Sequence, residues 1–148
     1  MKTSIGIKQE SLSKVAEILT IVLADEFVLY TKTKKAHWNV EGPDFYNKHL
    51  FFEQQYKQLD DIIDSIAERI RTLGHYAPAT LKEYLALTHL SEHPLEANDS
   101  LTYMNELLCD HESILIHLRE NINNFASDLQ DIGTSDYITG LLETHEKM

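Results

Sequence analysis

Long stretches of this chain carry apolar residues three and four positions apart, the spacing of an amphipathic helix. The first stretch runs from about Gln9 to Ala36 and stops before Gly42-Pro43, where glycine and proline interrupt a helix. The second begins near Pro43, runs to about Leu73 and stops at Gly74. Its apolar stripe consists of Phe45, Phe52, Tyr56, Leu59, Ile63, Ile66, Ile70 and Leu73.

Two further long helices follow a long connection. A short helix is predicted within that connection, at Pro78–Leu87. The third long helix has an apolar stripe at Leu101, Met104, Leu108, His111, Leu115, Leu118, Ile122 and Phe125. The last runs from about Ser135 to the C-terminus. The pattern predicts an all-α four-helix bundle, with one short extra helix between the second and third long helices.

Composition adds limits to this picture. The 148 residues form a single domain (1–148) with 43% apolar and 25% charged residues. The first residues, MKTSIGIKQESLSK, have no apolar core of signal-peptide length, and no apolar run could span a membrane. Cys109 is the only cysteine, so an internal disulfide is excluded, and we expect it to be a small buried hydrophobe. The expected location is the cytoplasm.

Five residues around the second helix have side chains that bind metal ions: His37, His49, Glu53, Asp64 and Glu68. The last four fall at about 60°, 100°, 120° and 160° around the helix from the middle of its apolar stripe. They share one flank of the helix. Imidazole and carboxylate ligands suit iron, zinc or manganese. Such a flank is more often a solvated shoulder, so spacing alone leaves both interpretations open.

Helix length restricts how these residues could act together. His49 and Asp64 are fifteen residues apart, about 22 Å along a helix axis. The two ends of the set are therefore too far apart to bind the same ion within one chain. If all five residues form one site, two copies of the helix must pack antiparallel about a two-fold axis. The ion would then lie at a subunit interface.

A conventional di-iron site inside a bundle uses Glu-x-x-His motifs that project into the core. No glutamate in this chain is followed by histidine at the third position. His111 lies in an apolar stripe and is expected to be a satisfied core residue.

Three segments of the chain resemble the signatures of Dps proteins, the mini-ferritins also called DNA-binding proteins from starved cells. They are AHWNVEGPDF at 36–45, HLFFE at 49–53 and DSIAERIRTLG at 64–74. The resemblance covers essentially the whole chain, including the short helix in the connection. It implies the ferritin-like fold.

The resemblance also implies a function. Family members form hollow dodecamers whose ferroxidase centres lie between two-fold-related subunits. By resemblance, His37, His49 and Glu53 come from one subunit, and Asp64 and Glu68 come from its neighbour. Non-haem iron(II) would be bound and oxidised to iron(III), with hydrogen peroxide preferred over dioxygen. Ferric mineral would then be stored in the cavity, which implies protection against oxidative stress.

Other family features map onto this chain less directly. Trp38 resembles a tryptophan that the family keeps beside the centre. We expect it to pack at the helix turn, and a redox role is the alternative.

In the family, acidic residues near the start of the last helix line pores. The first candidate here is Asp136 and the second is Asp131, in a region that also holds Asp128. Helix capping is the competing role for each.

Two departures from the family concern DNA and the C-terminus. DNA-binding members often carry a lysine-rich tail, whereas only Lys2 and Lys8 precede the first helix here. Acidic residues (24) outnumber basic ones (13), for a net charge of −11, so weak or absent DNA binding is expected. The family's last helix usually runs several residues beyond the position of Met148.

Two alternatives to an iron-oxidising shell stay open. The first is a non-enzymatic protein that coats DNA, which the acidity opposes. The second is a shell whose zinc or manganese site is structural, because mixed histidine and carboxylate ligands do not distinguish these metals from iron.

Overall fold

The computed structural model describes residues 4–148, so Lys2 lies outside the described residues. Within this range no helix is both long and apolar enough to cross a bilayer. The α-helices are α1 (Gln9–Asn39), α2 (Phe45–Thr72), α3 (Leu81–Leu87), α4 (Ser100–Asn123) and α5 (Ile132–Lys147), with a π-helical segment at Asn124–Asp128. This order confirms the all-α bundle with one short helix in the long connection.

The four long helices enclose one apolar core. α1 is the central element, because it packs against α2, α3 and α4, while α5 packs against α4. Every long helix contributes fully buried side chains, each worth about 1.5–3 kcal/mol on transfer from water. The largest of them include Leu12, Leu19, Leu23, Leu29, Phe52, Leu59, Ile66, Ile70, Tyr103, Ile114 and Phe125.

Glycine conformation and side-chain caps determine where several helices begin and end. Gly74 has φ +90, a left-handed conformation that favours glycine, and it follows the end of α2 as the sequence predicts. Thr80 and Glu83 form a reciprocal capping box at the start of α3. That box explains why α3 begins at Leu81 and not at Pro78. Asp99 caps α4 by accepting a hydrogen bond from the Thr102 amide.

The start of α5 differs from the prediction. The helix begins at Ile132 and takes Gly133 into its first turn, because Asp131 caps it by accepting from the Thr134 amide at 2.9 Å. Arg69 of α2 donates to the Thr134 hydroxyl at 2.8 Å and lies 3.4 Å from the Asp131 carboxylate. A Cβ at position 133 would lie 3.2 Å from the Arg69 guanidinium, so the glycine provides room for this ion pair.

The buried face of α4 also differs from the prediction. Leu101, Met104 and Leu108 were expected in the core, but all three are exposed. Cys109 is exposed as well, so the expectation that it is buried is wrong. The actual buried positions, which include polar side chains, are Tyr103, Leu107, Asp110, His111, Ile114, Leu118 and Asn121. The stripe was misplaced because polar residues occupy core positions and apolar residues occupy the adjacent flank.

Asp131 should contribute more to stability than an ordinary helix cap. Asp131→Ala removes the α5 cap and leaves Arg69 without its buried partner, so we expect a loss of about 2–4 kcal/mol in the free energy of unfolding. The measurement is urea denaturation at fixed protein concentration. Asp99→Ala is the matched control, since it removes an exposed cap and should cost clearly less. Equal losses in the two variants would contradict this account of Asp131.

Candidate metal centre

The connection between α1 and α2 is short and firmly held. The Glu41 amide donates to the Asn98 carbonyl at 2.9 Å, which ties this connection to the segment before α4. The Ser100 hydroxyl donates to the Asp44 carboxylate at 2.7 Å, just before α2 begins. These contacts fix the end of α1 next to the start of α2. His37, near the end of α1, is thereby brought beside His49, in the first turns of α2.

The two imidazoles form a reciprocal pair. The Nδ1 atom of His37 lies 2.9 Å from the His49 carbonyl oxygen, and the Nδ1 atom of His49 lies 2.8 Å from the His37 carbonyl oxygen. The rings are stacked, with their centroids 3.8 Å apart. His37 is buried, and His49 is partly buried. The structure thus brings together two of the five predicted residues, across the turn where the sequence places them.

The hydrogen bonds of this pair determine where the imidazole protons lie. A carbonyl oxygen can only accept, so each neutral imidazole must carry its proton on Nδ1. The Nε2 atom of each ring then has a free lone pair. Histidines that bind metals characteristically donate their other N–H to a backbone carbonyl or a carboxylate. Both rings are therefore in the tautomer that a metal ligand requires.

Glu53 follows His49 by one helical turn and lies on the same flank. Its carboxylate is 2.6 Å from the Lys57 ammonium group, which lies one turn further along α2. This hydrogen bond, together with the charge of Lys57, lowers the pKa of Glu53 below its usual value. The carboxylate is therefore ionised at neutral pH, as a cation ligand must be. The sequence analysis missed Lys57, although its spacing of four from Glu53 is visible in the sequence.

The other two predicted residues lie elsewhere on α2. Asp64 and Glu68 are both exposed, and the helical rise places Asp64 about 22 Å along the α2 axis from His49. Among residues 4–148 no group of three or more histidine, cysteine or acidic side chains is arranged to hold one metal ion. One chain thus presents two separated half-sets of candidate ligands. The first combines His37 of α1 with the start of α2, and the second lies further along α2.

The structure also places the neighbouring candidates. The Trp38 side chain is 67% exposed, and the Lys34 ammonium group lies 5.8 Å from its ring centroid. The expected packing at the helix turn is thus largely absent within one chain.

Asp131 is buried and engaged in its cap and ion pair, whereas Asp136 is exposed on the first turns of α5.

Comparison with known proteins identifies the family. The ferritin-like domain family matches residues 16–148. An uncharacterized low temperature-induced protein of Nostoc is 38% identical over 147 residues, covering 99% of this chain and 82% of the relative. DNA protection during starvation protein 2 of Bacillus anthracis is 35% identical over 134 residues, covering 90% of each chain.

A solved structure gives the same result. The Dps protein of Vibrio cholerae, described as a member of a broad superfamily of ferritin-like diiron-carboxylate proteins, superposes with a TM-score of 0.91. It is 30% identical, and the match covers 99% of this chain and 92% of that one. This chain belongs to the Dps family.

For this Dps-family chain, the contact between Glu53 and Lys57 gives a direct test. Lys57→Met removes the hydrogen bond and positive charge that hold the pKa of Glu53 down, so that pKa should rise towards its usual value. Carbon-detected NMR titration of the glutamate carboxyl groups, without metal, measures the change. Lys48→Met, on the same helix, is the control and should leave the Glu53 titration unchanged. An unaltered Glu53 titration in Lys57→Met would show that the pair does not persist in solution.

Proposed function

We propose that this protein is an iron-storage mini-ferritin whose chains assemble into a dodecameric shell and oxidise iron(II). In this proposal each oxidation centre is shared by two copies related by a two-fold axis. His37, His49 and Glu53 of one copy face Asp64 and Glu68 of the other. The reciprocal hydrogen bonds between His37 and His49 are the observation that carries the proposal. They hold two imidazoles side by side in the tautomer that binds a cation.

Iron(II) and iron(III) are the substrate and product in this account, and the side chains suit both. The imidazoles favour iron(II), while carboxylates favour the harder iron(III) ion. Lys57 lowers the pKa of Glu53 below its usual value, so this carboxylate keeps its negative charge to lower pH than an ordinary glutamate does. Asp64 and Glu68, four residues apart on α2, offer two more carboxylates from one helical face. The set therefore stabilises the oxidised product more than the substrate.

The proposed oxidant is hydrogen peroxide, with dioxygen as the slower alternative. Two iron(II) ions supply two electrons, which together with two protons reduce one hydrogen peroxide molecule to two water molecules. Consuming both reactants together suppresses hydroxyl-radical formation, so the shell would protect against oxidative stress while it stores ferric mineral. We place this activity in the cytoplasm, because a protein with Cys109 as its only cysteine has no internal disulfide and suits a reducing compartment.

Iron needs a route into such a shell. Asp136 is the better candidate of the two predicted pore residues, because its side chain is exposed at the start of α5. Asp131 is second, since its carboxylate already caps α5 and contacts Arg69. Trp38, exposed and adjacent to His37, is the candidate redox neighbour of the centre.

Mixed shells test whether the centre is shared between copies. His49→Ala and Asp64→Ala should each abolish rapid peroxide-driven oxidation of anaerobically loaded iron(II), measured by ferric absorbance. When the two inactive variants are dissociated, mixed and reassembled, each mixed pair of subunits regains one intact centre. Random mixing should therefore restore about a quarter of the wild-type activity.

The matched control mixes His49→Ala with Glu53→Ala. Both changes lie in the same half-set, so no pairing restores a centre and activity should stay at background. Light scattering confirms that every shell is assembled. Failure of His49→Ala plus Asp64→Ala to recover activity would remove the shared centre. Wild-type oxidation no faster than that of the single variants would favour a structural zinc or manganese site.

DNA binding should be weak or absent, although relatives carry names that refer to DNA protection. The net charge of −11 repels the phosphate backbone, and affinity for DNA comes largely from lysine and arginine. A gel-shift assay with the assembled protein at physiological salt should show no retarded complex at neutral pH. A salt-sensitive retarded band at micromolar protein would contradict this prediction.

A further inference from the structure

The flank of α2 that carries the candidate iron ligands also carries two charged residues, Lys57 and Asp60, whose role is not explained by iron binding. They lie at about 140° and 80° around the helix from the middle of its apolar stripe, within the range that the ligand candidates span. The Lys57 side chain is 64% exposed, and Asp60 is exposed as well. Lys57 contacts Glu53 of its own chain at 2.6 Å. Its ammonium group has three donors, so it can bind a second carboxylate at the same time.

Asp60 has no ion-pair partner in its own chain. Among residues 4–148 no cation lies within salt-bridge distance of its carboxylate. The charge of Asp60 reaches Lys34 of α1, but the Lys34 ammonium group lies over two aromatic rings. It is 5.0 Å from the Tyr30 ring centroid and 4.9 Å from that of Tyr56. Asp60 thus adds a negative charge to a flank that is already acidic. Two such flanks repel each other unless positive charges lie between them.

The shared iron centre determines which positions of two antiparallel α2 helices face each other. Residues 49 and 53 are centred on position 51, and residues 64 and 68 are centred on position 66. In an antiparallel pair, positions whose numbers add to one constant lie at the same height, and that constant is here 117. The two-fold axis therefore crosses α2 midway between positions 58 and 59. Lys57 and Asp60 lie on either side of this point, and their numbers also add to 117.

We propose, on the basis of the shared iron centre proposed above, that Lys57 of each copy forms an ion pair with Asp60 of the other copy. Residues four apart form ridges on a helix, so positions 49, 53 and 57 form one ridge and positions 60, 64 and 68 form the next. In the commonest packing of two helices, such ridges lie side by side with the helix axes about 8–10 Å apart. Lysine and aspartate side chains span that distance. One ion pair lies on each side of the two-fold axis.

Charge complementarity favours this register over its neighbours. Lys57 is the only lysine or arginine between positions 49 and 68. A slip of one helical turn in either direction places Asp60 opposite Asp61 or opposite Glu53 of the other copy, where like charges repel. In the proposed register Asp60 faces the lysine instead. The register that the ion pairs favour is therefore the one that assembles the iron centre.

The two ion pairs lie between the two iron centres of a subunit pair. Each centre is about 11 Å from the axis along α2, so the two centres are about 22 Å apart. Lys57 contacts Glu53 of its own copy and Asp60 of the other, which links a candidate ligand to a fixed point on the second copy. Because the ion pairs need no metal, they hold the two copies in register before iron binds.

Charge reversal in two separate chains tests the proposal on metal-free protein. Lys57→Asp places aspartate against aspartate in a pair of identical chains, and Asp60→Lys places lysine against lysine. We expect each variant alone to assemble only at protein concentrations at least about tenfold higher than wild type. A mixed pair of the two variants has opposite charges at both contacts, so mixing should restore wild-type assembly. Sedimentation velocity over a dilution series with a chelator measures the assembled fraction.

The matched control mixes Lys57→Asp with Glu92→Lys, which makes the same charge change at an exposed position in the α3–α4 connection and should restore nothing. Circular dichroism confirms that each variant is folded. Single variants that assemble like wild type, or a mixture that does not recover, would overturn the ion pairs. Recovery with Asp61→Lys in place of Asp60→Lys would overturn the register.

This outcome is separate from that of the iron-oxidation test. If mixed His49→Ala and Asp64→Ala shells regain oxidation while the charge-reversed mixture does not assemble better than its components, the shared centre stands and the contact between Lys57 and Asp60 is rejected. If neither mixture recovers, the two-fold pairing of α2 is rejected as well.

Discussion

The length of α2, one continuous helix, is the constraint on which the account of the metal centre depends. An α-helix rises 1.5 Å per residue, so the half-set at its start and the half-set at Asp64 and Glu68 cannot converge. The structure keeps α2 unbroken from Phe45 to Thr72, with His49 and Glu53 near its start and the other half-set farther along it. A centre that uses all five residues therefore needs a second copy. In this account catalysis depends on assembly, because dissociation of the two copies separates the ligands.

Two buried pairs of polar or charged side chains connect helices across the bundle interior. The Arg69–Asp131 pair joins α2 to the start of α5. The Glu26–His145 pair joins α1 to the last turn of α5. Burying such groups is costly, and removing one partner costs more than the pair contributes. An arrangement of the helices that separated these partners would therefore be destabilised. The same burial lowers the pKa of His111 to about 4, so this imidazole is neutral at physiological pH.

The sequence predicts the helices well because their apolar spacing and their end signals agree. Gly74 ends α2 as expected, and the His37–His49 contact follows from the short turn between two helices. The face of α4 was misjudged because Asp110 occupies a core position while Leu108 does not. The pairing of Glu26 with His145 spans 119 residues, and no local pattern signals it. In the proposed iron centre the second half belongs to another copy, and one sequence cannot position that copy.

Anomalous diffraction at the iron edge, from crystals of the assembled protein soaked with iron(II) under nitrogen, tests the central claim most directly. The account predicts iron bound by His37, His49 and Glu53 of one copy and by Asp64 and Glu68 of its two-fold mate. Iron bound only within a single chain, or at no position near His49, would contradict it.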